Sequence, residues 1–123
     1  MSGNAVCWFE IYVQDMARAK AFYEGVFGLT LERLGGSDLE MWAFPGHVDR
    51  YGTPGALVRM PGCPSGGNST LVYFSCEDCA VEESRVASCG GRVLRPKMSI
   101  GQYGFITLAA DSEGNTIGLH SLK

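Results

Sequence analysis

The chain has 123 residues, 46% of them hydrophobic and 19% charged, with a formal net charge of −3. That length can bury one core without staples, so a single domain over 1–123 is expected, and the acidic balance leaves no basic footprint for nucleic acid. No apolar run approaches the ~20 residues of a membrane span, and no basic, then long apolar, stretch opens the chain. A cytoplasmic protein with no membrane partner is therefore expected.

Val6 to Val13 is rich in aromatic and β-branched residues and predicts a strand. Asp15 follows as a helix N-cap. Met16, Ala19, Phe22, Tyr23, Val26 and Phe27 then recur at helical spacing, and Gly28 stands as the stop. Strands are predicted near Leu29–Leu34, Leu39–Phe44 and Gly55–Met60. Between them, Pro45–Pro54 holds His47 and reads as a long polar loop, with His47 solvated. The run PGCPSGGN at 61–68 is a linker of turn residues.

The order then repeats. Thr70–Cys76 predicts a strand, Asp78 a cap and the stretch to Cys89 a helix, which Gly90 and Gly91 stop. Strands follow near Arg92–Leu94, Phe105–Ala110 and Asn115–Ser121, with Asp111–Gly114 as a tight hairpin turn. Asp15 precedes Gly28 by 13 residues, and Asp78 precedes Gly91 by the same 13. Such a repeat predicts two βαβββ modules, about 5–60 and 69–122, joined by the linker.

Five cysteines, an odd number, suit reduced thiols. Cys76 and Cys79 have the CxxC spacing of a redox pair or half a zinc site, but no second ligand pair accompanies them. Cys7 and Cys89 read as small buried hydrophobes.

Three stretches, "VQDMARAKAFYEGVFGL", "SCEDCAVEESRVASCGGRV" and "DSEGNTIGLHS", make the chain resemble the vicinal oxygen chelate superfamily, within its small glyoxalase-like branch. The superfamily is also known as the glyoxalase, bleomycin-resistance and extradiol dioxygenase group. The resemblance implies an α+β fold in which the sheets of two tandem modules pair into an open, cleft-forming barrel. It also implies four metal ligands, from the first and fourth strand of each module. Position by position these fall on Trp8, Arg59, Leu71 and Gly118. An indole, a guanidinium, an isobutyl group and a bare Cα offer no donor to a divalent ion, so no metal and no cofactor are expected.

Strand alternation places Glu10 and Tyr12 beside Trp8, Tyr73 and Ser75 beside Leu71, and Thr116 and His120 beside Gly118. Leu57 and Arg59 are expected on this cleft face too. Phe9, Ile11, Val13, Val72, Phe74, Ile117 and Leu119 would face the helices. A carboxylate within an aromatic strand needs a partner, and Arg59 or His120 is the candidate for Glu10. Arg59 would either neutralise Glu10 or bind a ligand's carboxylate or phosphate. Trp8, Tyr12 and Tyr73 are candidate ligand contacts. The resemblance makes Gln102 and Tyr103 candidates for a loop closing over the cleft.

Two functional classes stay open. One is a metal-independent small-molecule binder, for a drug or a metabolite. The other is a metal-independent isomerase, epimerase or lyase with Glu10 and His120 as its acid/base pair. A metal-dependent lactoylglutathione lyase or dioxygenase is disfavoured by the four ligand positions. A symmetric homodimer is expected, with the cleft formed within one chain or exchanged between two.

Overall fold

The structure is a computed structural model that describes residues 4–35, 39–47 and 49–123. Its elements run β1 (Phe9–Tyr12), α1 (Met16–Phe27), β2 (Glu32–Arg33), β3 (Glu40–Ala43) and β4 (Gly55–Arg59), then β5 (Val72–Ser75), α2 (Cys79–Val86), β6 (Arg92–Ser99), a 3₁₀ turn (Gly101–Tyr103), β7 (Phe105–Ala110) and β8 (Thr116–Ser121). Two four-stranded sheets result, ordered β1-β4-β3-β2 and β5-β8-β7-β6. The βαβββ repeat is thus present, with the two sheets open.

Both helices begin as expected. The Asp15 side chain accepts from the Arg18 N–H, and the Asp78 side chain accepts from the Ala80 N–H. Each satisfies a donor that the helix start leaves free. Gly28 ends α1 with φ +64°, its N–H donating to the Glu24 carbonyl. That left-handed geometry favours glycine.

Several element boundaries differ from expectation, β1 beginning at Phe9 rather than Val6 and β5 at Val72 rather than Thr70 among them. The second helix stops at Val86 rather than Cys89. The Ser84 and Ser88 hydroxyls donate to the Val81 and Arg85 carbonyls, and the Gly91 N–H returns to the Val86 carbonyl. Such local bonds compete with helix continuation. Strand β6 reaches Ser99 instead of ending near Leu94. Pro96 is tolerated because β6 is an edge strand whose register with β7 shifts twice. Strand β2 shrinks to two residues.

The two modules share one core. Phe22, Tyr23 and Val26 of α1 are fully buried with Val13, Leu57, Val86, Ala109 and Ile117. The Tyr23 ring meets Phe44 at 5.5 Å and Phe74 at 5.8 Å, so a first-module helix holds both sheets. At Gly91 a Cβ would overlap both the Ala110 carbonyl oxygen and the Phe22 ring, so only glycine admits this approach. Phe9, Phe74, Ile117 and Leu119 lie on the core side, as expected for the helix-facing set.

Candidate functional site

The outer faces of the sheets carry the expected site residues, with one correction. Across β1 and β4 the register pairs Glu10 with Ala56, Ile11 with Leu57 and Tyr12 with Val58. Paired residues share a face, so Leu57 and Arg59 belong with Ile11 and Val13, not with Glu10. Leu57 is buried in the core, and Arg59 Nε donates to the Gln14 carbonyl at 3.2 Å. The expected frame was three residues out in β4. Gly118 pairs with Tyr73, and Glu10, the repeat equivalent of Tyr73, pairs with Ala56, so Ala56 occupies the fourth-strand position, and its methyl group offers no more to a metal than Arg59 does. The second sheet keeps its expected frame, with Tyr73 opposite Gly118 and Ser75 opposite His120. The Tyr73 ring fills the space a Cβ at Gly118 would need.

Trp8, Ala56, Leu71 and Gly118, the positions the resemblance assigns to metal ligands, therefore offer no side-chain donor that fits a divalent metal. Among the described residues, no three His, Cys, Asp or Glu side chains converge on one point. The CxxC thiols are poorly disposed for chemistry as well. Cys79 is fully buried, and burial, followed by the Glu82 carboxylate, pushes the Cys76 thiol up to about 12.

Glu10 pairs with neither expected partner. Its carboxylate accepts from the Trp8 indole N–H at 3.2 Å and from the Tyr12 hydroxyl at 2.8 Å. This bond, then burial, raises the Tyr12 phenol above its ordinary value. All three side chains project from alternate positions of one strand. His120 lies on the other sheet, its Nε2 at 2.7 Å from the Tyr103 carbonyl. It thereby tethers the 3₁₀ turn that carries Gln102 and Tyr103, both exposed.

Two cavities follow this division. The larger, about 920 Å³, wraps the free edge of β5 and touches all four of its residues. Phe9, Phe44 and Phe74 form an aromatic floor, while His47, Ser75 and His120 supply polar groups. The smaller, about 270 Å³, is bounded by Glu10, Tyr12 and the 64–70 segment, with Thr116 beyond. Glu10 and His120 thus line different cavities of one chain. His47, expected to be solvated, is exposed and lines the larger cavity together with Pro45, Gly46 and Tyr51. Nothing in the sequence near His47 signals this placement. The alternating aromatics Phe9 and Phe74 were legible as buried, yet not as a cavity floor.

Below the cavities, the β7–β8 turn joins the modules. Glu113 accepts from the Gln14 and Asp15 N–H groups, both at 2.9 Å, and from Arg18 Nε at 2.6 Å. Burial alone would raise its carboxyl, but the Arg18 guanidinium, the two backbone donors and Ser112 bring it down to about 2. Asp111 accepts from the buried Tyr23 hydroxyl at 2.6 Å and from Asn115 Nδ2 at 3.0 Å. The sequence marked these residues only as a turn.

Comparison with known proteins points the same way. Residues 6–37 match the family described as bleomycin resistance protein-like N-terminal. A putative glyoxylase, CFP32, of Mycobacterium tuberculosis is 27% identical over 118 residues, which cover 91% of this chain and 43% of that protein. The chain therefore spans less than half the length of this curated relative. TnmS3, an antibiotic binding protein from Streptomyces sp. CB03234, superposes with a TM-score of 0.70 at 25% identity, covering 100% of this chain and 99% of that one. A glyoxalase I mutant from Zea mays gives 0.74 at 21% identity, covering 94% and 45%.

Proposed function

We propose that the chain, which shares the glyoxalase/bleomycin-resistance fold, is a member of the vicinal oxygen chelate superfamily that binds a small, largely apolar molecule along the free edge of β5. The larger cavity carries the proposal. An aromatic floor continuous with the core, with a few polar groups at its margin, is the composition of a ligand site, and about 920 Å³ lies within the usual range. An antibiotic or aromatic metabolite fits that lining, and TnmS3 supplies a precedent of the same length. His120 and Ser75 would fix a polar end, and the tethered turn with Gln102 and Tyr103 would flank the entrance. No step runs through a metal.

Trp8 (39% exposed), Leu71 (37%) and Tyr73 (47%) leave apolar surface on the outer sheet faces. A symmetric homodimer in which the first module of one chain faces the second module of its partner would cover it. Such an exchange would also bring Glu10 to face His120 of a second copy, as the acid/base alternative asks. Five free thiols suit a cytoplasmic setting. No helix of the described residues is long and apolar enough to cross a membrane.

The test is a thermal-shift screen of aromatic antibiotics and aromatic carboxylic acids against the native chain and Ile106→Trp, which narrows the larger cavity. A ligand that raises the midpoint of the first and not the second supports the proposal. Equal shifts in both, or none in either, defeat it. Light scattering over a concentration series, native chain against Tyr73→Arg, tests the dimer.

A further inference from the structure

The larger cavity does not keep to one face of its sheet. It touches Phe74, which packs on the core, and Val72 on the same side, but also Tyr73 and Ser75, which alternate with them. A cavity confined to one face would meet alternate residues only. This one therefore runs along the edge of β5, where the main chain itself is the wall. Among the described residues, β8 is the single neighbour of β5.

Successive residues of a strand turn their N–H and C=O groups to opposite edges. The Cys76 N–H, just past the end of β5, donates to the His120 carbonyl of β8 at 2.8 Å. Counting back in twos, Phe74 and Val72 direct theirs to β8 as well. The N–H and C=O groups of Tyr73 and Ser75 then face the free edge, and among the described residues no loop backbone bonds to them. Donors and acceptors thus stand in one row beside the aromatic floor. There the Phe9, Phe44 and Phe74 rings lie 5.5 to 6.2 Å apart. No Asp, Glu, Lys or Arg among the described residues lines the cavity.

We propose that the ligand of this cavity is peptide-like: an extended aromatic molecule with an N–H and a C=O flanking one saturated carbon, as in an N-acylated aromatic amino acid amide. The proposal rests on the reading of the larger cavity as a ligand site. A lone trans amide points its N–H and C=O in opposite directions, so it meets the edge through one of them only. An acylated amino acid unit in extended form turns both to one side. It can pair with the N–H and C=O of Tyr73 or Ser75 as an added strand does. Its ring would lie on the phenylalanine floor, and blocked ends suit a lining without charge.

The probe pair is N-acetyl-L-phenylalaninamide and O-acetyl-L-3-phenyllactamide, which carries oxygen in place of the N–H. The reporter is the backbone amide spectrum of isotopically labelled chain. The first probe should shift the Tyr73 and Ser75 amides saturably and well beyond those of Val72 and Phe74. The second should bind roughly tenfold more weakly, for one lost hydrogen bond. Ser75→Pro removes a cavity-facing N–H without removing a bond to β8, which an edge strand tolerates. It should weaken the first probe roughly tenfold beyond Ser75→Ala, which lacks only the hydroxyl. If the proline itself lowers the thermal midpoint, the probe pair on the native chain decides alone. Equal affinity for the two probes, shifts shared evenly along β5, or Ser75→Pro matching Ser75→Ala at a native midpoint would each overturn the assignment. So would Tyr73 and Ser75 shifts that grow with chain concentration without probe, which would give the edge to a second copy. An aromatic ligand that stabilises the native chain and not Ile106→Trp, while the probe pair binds alike, leaves the cavity reading intact and defeats this one alone.

Discussion

Glu113→Gln probes how the two modules are held together. The change keeps the side chain's shape and removes its charge from a position where the side chain is fully buried. It leaves the Gln14 and Asp15 N–H groups and the Arg18 guanidinium competing for one amide oxygen. Lowering the carboxyl from its ordinary 4.5 to about 2 is equivalent to roughly 3 kcal/mol, at 1.36 kcal/mol per tenfold. Arg18 is 54% exposed, so solvent screens part of that, and about 2 kcal/mol is the expected loss at pH 7. The folded-state value lies below the unfolded one. The contribution is therefore complete above about pH 4.5 and is lost as pH falls towards 2. Urea unfolding of the native chain and Glu113→Gln at pH 7, 5, 4 and 3 measures the difference. It should hold between pH 7 and 5, then shrink. A gap that stays constant down to pH 3 would refute the electrostatic account and assign the loss to packing.

Gly91→Ala should destabilise by about 1–3 kcal/mol, read as a lower urea midpoint, because its Cβ overlaps backbone as well as the Phe22 ring. Tyr23→Phe removes the buried hydroxyl that donates to Asp111 and should cost about 1–3 kcal/mol by the same measurement; Asp111 retains its bonds from Glu113 and Asn115. Cys7, expected to be buried, is exposed, so in timed alkylation at pH 8 followed by mass spectrometry it should react well before Cys76, whose thiol is held near 12 by burial.

Most of the architecture is legible from local signals. Asp15, Asp78 and Gly28 act through bonds within a few residues, and the apolar positions of α1 follow one period. Strand β7 was predicted at its observed bounds, Phe105–Ala110. What misled was register between distant strands. Aligning Gly55-Ala-Leu-Val with Gly114-Asn-Thr-Ile sets Arg59 opposite Gly118, yet the pairings of β1 with β4 and of β5 with β8 make Ala56 its counterpart, three residues away from that frame. An odd shift reverses every side chain on a strand, which put Leu57 in the core and Arg59 on the face opposite Glu10. The site was legible in part, since Trp8, Glu10 and Tyr12 were placed on one face from alternation alone. Their mutual hydrogen bonds were not, because charge pairing suggested Arg59 or His120. The Asp111 and Glu113 contacts span 88 to 99 residues, which no local pattern encodes.

The separation of Glu10 from His120 has a structural cause. Tyr23, Phe27, Phe44 and Phe74 lock the core-facing sides of both sheets to one helix. The opposite sides are then directed outward, each carrying one half of the expected site. Within one chain the acid on β1 and the imidazole on β8 line different cavities. Binding along β5 needs His120 and not Glu10, whereas acid/base chemistry needs both on one substrate. Glu10→Gln and His120→Ala discriminate: a loss of ligand affinity confined to His120→Ala follows from binding along β5, and a shared loss of one turnover from the acid/base arrangement.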